Sequence, residues 1–215
     1  MNKRSARVLA KARVKTLSDA EKLIKSGVIV NDVLSFVDEN GIKSVFVYKS
    51  SDDEVQTNAI IDGLFERGVK VYIPKISGDL MRLSVISKKS KFVRNIFGIF
   101  ETTDDGEDFF DAELNIVPLV AFDKTLTRLG HGKGYYDRYL EKATGRILAL
   151  AYDCQEIDEI DSETHDVKMQ LVITESGRKG GLYEDYFGKT QGKNTAVSGR
   201  RKHAPHDRQG ERIPF

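Results

Sequence analysis

Apolar and polar positions follow two periods along most of this chain, and the changes between them mark its elements. Residues 2–15 read as a basic helix, after which Ser18-Asp19-Ala20-Glu21 forms a capping box in which Ser18 and Glu21 satisfy each other's free backbone donors. The helix it starts is expected to bury Leu23, Ile24, Val28, Val30, Leu34 and Val37 and to stop at Asn40-Gly41. SVFVY, residues 44–48, is a β-branched and aromatic run of strand length. AIIDGLFERG predicts a helix ended by Gly68, and VKVYIP a strand closed by Pro74. ISGDLMRLSVIS predicts a hairpin turning at Ser77-Gly78-Asp79. LNIVPLVAFD, RILALAY and MQLVIT supply three more strands, and YYDRYLEKA a helix.

Strands alternating with helices predict βαβ units, hence an α/β fold with a mostly parallel central sheet and helices on both faces. Ligands in such sheets sit beyond the carboxyl ends of strands, where a loop feeds a helix. The stretch RLGHGKGYYDR, Arg128 to Arg138, lies in such a place, between LNIVPLVAFD and the YYDRYLEKA helix.

Composition narrows the class without changing this picture. The 215 residues are 40% hydrophobic and 31% charged, which suits a soluble globular domain over residues 1–187. No apolar run approaches the roughly 20 residues that span a bilayer, and the basic N-terminus lacks a secretory signal pattern, so a cytoplasmic protein without membrane partners is expected. The single cysteine, Cys154, excludes an internal disulfide framework and is expected to be a small buried hydrophobe. Charge is uneven. Residues 188–215 hold seven Lys/Arg and two Asp/Glu, net +5; of the chain's 34 and 33 this leaves 27 basic and 31 acidic residues, net −4, in the body. That tail reads as a basic, disordered extension and first of all as a solvated terminus; nucleic acid is not an expected partner elsewhere, and a weak contact through the tail is the alternative.

In the loop, Gly130, Gly132 and Gly134 permit positive φ and let backbone N–H groups approach a ligand. Lys133 and Arg128 carry charges suited to phosphate, and Asp137 is a hard oxygen ligand for Mg²⁺ beside it. These residue types fit a nucleoside triphosphate with its metal, while a tight turn with no ligand is the alternative. The spacing is neither G-x-x-x-x-G-K-[ST] nor G-x-G-x-x-G, so neither of those mechanisms transfers.

The full string is more specific than its glycines. Val117-Pro118-Leu119-Val120-Ala121-Phe122-Asp123, a short spacer and RLGHGKGYYDR resemble the signature of the 5-formyltetrahydrofolate cyclo-ligase family, also called methenyltetrahydrofolate synthetases. Glu54-Val55-Gln56-Thr57, Phe97-Gly98-Ile99-Phe100-Glu101 and His165-Asp166 match further elements of that family in order, so the resemblance spans about residues 3 to 175. It departs at Thr102, where the family often has proline, and in the basic tail.

The resemblance implies a Rossmann-like, three-layer fold and an ATP-dependent conversion of 5-formyltetrahydrofolate to 5,10-methenyltetrahydrofolate with release of ADP and phosphate. ATP is then the co-substrate and Mg²⁺ the metal. By motif position, Arg128, Leu129, Gly130, His131, Gly132, Lys133, Gly134, Tyr135 and Tyr136 would cradle ATP. Lys3 and Arg7, four residues apart on one helical face, would add nucleotide contacts. Lys133 and Arg128 would be catalytic, and Asp137 and Asp166 would hold the metal. Tyr48, Glu54, Met81 and Tyr135 would contact the folate, with Met81 also fitting a core position. A related ATP-dependent enzyme with another substrate, and a non-catalytic nucleotide- or RNA-binding relative, are the alternatives.

Overall fold

The computed structural model describes residues 1–94, 100–103, 106–163 and 166–180. Phe97, Gly98, Ile99, His165 and the 188–215 tail, all singled out above, lie outside the described residues. The elements in chain order are α1 (Lys3–Lys15), α2 (Asp19–Glu39), β1 (Ser44–Val47), α3 (Asn58–Glu66), β2 (Lys70–Ser77), β3 (Leu80–Ile86), β4 (Phe92–Arg94) and β5 (Phe100–Thr102). There follow β6 (Leu114–Pro118), β7 (Ala121–Asp123), β8 (Arg128–Leu129), α4 (Tyr135–Leu140), β9 (Arg146–Leu150), β10 (Glu156–Ile157), β11 (Leu171–Thr174) and β12 (Gly177–Gly180).

A seven-stranded sheet runs β12-β11-β9-β6-β1-β2-β3. Its four inner pairings are parallel, and the antiparallel hairpins β11–β12 and β2–β3 close its two edges. Phe46, Tyr72, Val117 and Ala149 point to one face and join Tyr139 and Leu140 of α4 in a single buried cluster. Their chain neighbours Val45, Val71, Ile116 and Leu148 point the other way and are equally buried. There α2 and α3 pack on each other and on β11 and β2. The predicted mostly parallel sheet with helices on both faces is the observed one. Among the described residues no helix is long and apolar enough to cross a membrane.

Four expectations need correction. The capping box at Ser18 forms, but α2 buries Lys22, Ser26, Ile29, Val30, Val33, Phe36 and Val37, while Leu23, Ile24 and Val28 are 68%, 70% and 47% exposed. The first two turns bury polar residues that have specific partners, so hydrophobicity does not mark the inward face there. Pro74 does not end β2, which continues to Ser77 opposite Leu80; of β2, only Lys70–Tyr72 pairs with β1, so the proline lies past that ladder. LNIVPLVAFD is two strands rather than one: β6 stops at Pro118, and β7 joins a separate three-stranded sheet with β8 and β10. Cys154 is only partly buried.

Strands β4, β5, β8, β10 and β12, of two to four residues each, had no periodic signal. The small sheet matters to function because α1 lies on it, with Ala6 and Ala10 packed against Leu129 and Ile157. That packing brings Arg7 of α1 to the glycine loop.

Candidate active site

The chain order leaves β1 in two directions, to β2 on one side and to β6 on the other. Such a switch point opens a crevice beyond the strand ends. A cleft of about 350 Å³ lies there, lined by Tyr48 just past β1, Pro118 at the end of β6, the segment from Gly130 to Asp137, and Glu54.

One wall is the glycine loop. Gly132 has φ +97° and Gly134, the N-cap of α4, has φ +69°, backbone that side-chain-bearing residues rarely adopt. Arg7 Nε donates to Gly130 O at 2.8 Å and its guanidinium lies beside Gly132, so α1 supports the loop from outside. Lys133 is exposed and lines the cleft. Leu129 is 2% exposed, so it anchors the loop by its side chain and does not face a ligand with it.

Arg128 occupies a different place from the one its charge suggested. It is 5% exposed; Nε donates to Pro118 O at 2.9 Å, Nη1 to Asp137 Oδ1 at 2.9 Å, and the guanidinium lies over the Tyr136 ring. Burial pushes its pKa down, and the negative charges of Asp137 and Asp166 oppose that shift. A Cβ on Gly130 would come within 2.9 Å of Arg128 Nη2, so this glycine leaves room for the cation beneath the loop. The geometry makes Arg128 a support for Asp137 and the loop that also lines the cleft.

Lys3 is not at the loop but at Asp166, with Nζ 2.8 Å from that carboxylate and 2.7 Å from Glu163. Burial works against its charge, but hydrogen bonds to Asp166 and Glu163 outweigh it and raise the Lys3 pKa. Asp166 also accepts the Glu163 N–H at 2.7 Å. Among the described residues no group of three or more His, Cys, Asp or Glu side chains is arranged to hold a metal ion. A cation held by Asp137 and Asp166 would therefore take its remaining ligands from phosphate and water, the usual habit of Mg²⁺. In the structure each of the two carboxylates is paired with a cation, Asp137 with Arg128 and Asp166 with Lys3.

The opposite wall is residues 48–57. Tyr48 is 2% exposed and donates to Val55 O at 3.1 Å; burial, with the Glu54 charge behind it, pushes its phenol pKa well up, so it stays protonated. Glu54 Oε2 accepts from Ser51 N at 2.8 Å and Ser51 Oγ at 3.0 Å. Its other oxygen lies 3.4 Å from His131 Nε2, which joins the two walls. Thr57 Oγ1 donates to Tyr48 O at 2.8 Å, the reason a hydroxyl belongs three residues after Glu54.

Tyr135 and Tyr136 diverge as their adjacency requires. Tyr136 stacks on Phe46 at 6.1 Å and its pKa is raised by burial, whereas Tyr135 lies under Arg138 with its hydroxyl 3.4 Å from Gly78 O. Met81 is 6% exposed in the core cluster and is not among the cleft-lining residues. It fills the core beneath β3, as a flexible thioether often does. Sequence reasoning missed Lys49, Pro74 and Arg94, which line the cleft, and Tyr152, which supports it. Tyr152 ends the apolar run RILALAY past a strand's carboxyl end, and that position was the available signal.

Fold and cleft together define a Rossmann-like α/β protein with a small-molecule site at its switch point. The family pattern of 5-formyltetrahydrofolate cyclo-ligases matches residues 1–175, and the chain belongs to that family. A probable 5-formyltetrahydrofolate cyclo-ligase of Schizosaccharomyces pombe is 35% identical over 166 residues, covering 68% of this chain and 81% of the relative. The 5-formyltetrahydrofolate cyclo-ligase of Mus musculus is 28% identical over 189 residues, 80% of this chain and 93% of its own length. Among solved structures, the 5,10-methenyltetrahydrofolate synthetase of Aquifex aeolicus superposes with a TM-score of 0.73 at 26% identity, over 83% of this chain and 92% of that one.

Proposed function

We propose that this protein is an ATP- and Mg²⁺-dependent 5-formyltetrahydrofolate cyclo-ligase. The formamide oxygen of the substrate is a poor leaving group, so the γ-phosphoryl of ATP is transferred to it, giving an imidate phosphate and ADP. The N10 amine then attacks the formyl carbon and gives up its proton to solvent, the C–O bond breaks, and inorganic phosphate departs as the methenyl bridge closes. Such chemistry depends mostly on positioning and on stabilising developing charge.

In this reading Lys133 meets the migrating phosphoryl, the N–H groups from Gly130 to Gly134 hold the phosphate oxygens, and Arg7 steadies that loop. Arg128 acts from below, fixing Asp137. Asp137 and Asp166 would hold Mg²⁺, whose charge would offset that of the phosphates. Glu54, Tyr48 and Tyr135 face the folate. The observation that supports this most is the 3.4 Å contact between His131 and Glu54, which sets the phosphate-type loop and the acidic wall across one cleft. The proposal puts the enzyme in the cytoplasm, in keeping with its single cysteine. It assigns no part of the chemistry to residues 188–215, so truncation at Gly188 should leave turnover unchanged.

The deciding assay mixes purified protein with 5-formyltetrahydrofolate, ATP and Mg²⁺ and follows the near-ultraviolet absorbance of the methenyl product. No product from folded protein at saturating ATP would remove the proposal.

A further inference from the structure

The segment carrying Glu54 is gripped from behind by two hydroxyls that neither the family motifs nor the cleft lining include. Tyr152, just past β9, is 0% exposed, and Ser26, in α2, is 2% exposed. The Tyr152 hydroxyl donates to Glu54 O at 3.2 Å and lies 3.1 Å from Ser26 Oγ. Ser26 Oγ accepts the Gln56 N–H at 3.1 Å. Because Tyr152 directs its proton to Glu54, the proton between the two hydroxyls comes from Ser26. The result is one directed chain, from Gln56 N–H through Ser26 and Tyr152 to the Glu54 carbonyl. It begins and ends within Glu54-Val55-Gln56 and passes through two elements remote in sequence.

Local contacts already shape this turn. Glu54 N donates to Ser51 O at 3.2 Å, and Gln56 Nε2 donates to Ser51 O and Glu54 O at 3.0 Å each. Those bonds move with the turn and do not tell it where to sit. The Ser26–Tyr152 chain ties it to the frame, and Lys22, one turn earlier in α2, reaches Asp52 O at 3.2 Å from the same side.

Stability alone is a poor reason for two buried hydroxyls here. Burying them costs free energy that their hydrogen bonds roughly offset, so their net contribution to stability is small; what they add is direction, since they are partners of the Gln56 N–H and of the Glu54 carbonyl. We propose that Ser26 and Tyr152 are positioning residues for Glu54, setting through its backbone how far the acidic wall stands into the cleft. The inference rests on the reading of Glu54 as a folate contact. Burial raises the Tyr152 pKa and keeps the phenol a donor, which the chain requires.

The test uses the full chain with Tyr152→Phe, Ser26→Ala and both together. 5-Formyltetrahydrofolate and ATP are varied separately, and amide hydrogen exchange over residues 54–57 is measured without substrate. Each single variant should raise the folate KM about tenfold while the ATP KM stays within about twofold, since small misplacements of a contact residue are costly. The double variant should be no worse than the poorer single one, because the two hydroxyls act as one chain. Exchange at Gln56 should quicken in all three. An unchanged folate KM would overturn the proposal, and so would an equal rise in both KM values accompanied by a loss of melting temperature, the mark of a merely structural role. Unchanged exchange at Gln56 would refute the clamp by itself. If the wild-type chain forms no methenyl product, it is the cyclo-ligase reading that fails, and Glu54 loses its assigned substrate with it.

Discussion

Thr57 reaches back to Tyr48 O at 2.8 Å, Ser51 closes on Glu54 at 2.8 Å, and Tyr152 holds the Glu54 carbonyl at 3.2 Å. Across the cleft, the loop from Gly130 to Gly134 takes its shape from positive φ at Gly132 and Gly134, with Arg7 outside it and Arg128 beneath. One wall is thus fixed by side chains of its own segment and by Tyr152 from a distant part of the chain, while the other is a backbone ribbon clamped at its margins. The first arrangement suits a rigid ligand whose pose must be held; the second suits phosphates, which are bound by N–H groups that a ribbon can turn toward them. The contrast predicts that damage to the loop will appear in turnover, and damage to the wall in affinity for the folate.

Lys133→Ala should have the largest effect, a fall in kcat of about 10²–10³-fold, the usual loss when one group stabilising transition-state charge is removed. Its melting temperature should match the wild type, because Lys133 is exposed. A rise in the folate KM with kcat intact would break the division between the walls. Arg128→Met comes next and separates support from direct contact. Removing one partner of a buried ion pair costs about 3–5 kcal/mol, but Asp137 keeps 30% exposure and can be rehydrated, so a loss of about 2 kcal/mol is expected. Chemical denaturation measures it, and it should come with weaker Mg²⁺ dependence as Asp137 loses its tether. Normal stability with lost turnover would return Arg128 to a phosphate role. Glu54→Gln should raise the folate KM about tenfold and leave the ATP KM alone, about what one charged hydrogen bond is worth. An equal change in both constants would mean that the wall also serves the nucleotide.

The loop was legible in the sequence because its physics is largely local: Gly132 and Gly134 stand where φ is positive, and Gly130, two residues earlier, leaves room for Arg128. The strands β1, β6, β9 and β11 were legible as apolar runs, since strands buried on both faces carry them. The wall was half legible. Glu54 and Thr57 stand out in a motif, but what holds them comes from Ser26 and Tyr152, 28 and 98 residues from Glu54 along the chain, and no periodicity encodes a hydrogen bond at that separation. Arg128, which lines the cleft, gains a second reading from the structure for a related reason. A cation in a glycine loop looks like a ligand contact until burial shows that its partner is Asp137. The inward face of α2 was misread because Lys22 and Ser26, which turn inward, are polar.

The smallest expected effect tests the base of the loop rather than its tip. Asp123, 1% exposed at the end of β7, accepts from Thr125 N and Oγ1 at 2.9 and 2.8 Å, Thr127 N at 3.1 Å and Ile160 N at 3.0 Å. Burial alone would raise its pKa, but these donors outweigh burial and hold the carboxyl below its ordinary value. A carboxyl depressed in the folded state adds stability that is fully present above its unfolded pKa and is lost as pH falls through the folded one. The wild-type melting temperature should therefore drop as pH descends through about 4 and below, with other depressed carboxylates contributing. Asp123→Asn should start lower at pH 7, because an amide nitrogen would face a backbone donor, and should fall less steeply in acid. Turnover at pH 7 should decline only a few-fold, since the turn Thr125–Thr127 feeds Arg128 and the ribbon beyond it but touches no ligand. Parallel melting curves for the two proteins between pH 7 and 3 would show that the carboxylate at the base of the loop is not what steadies it.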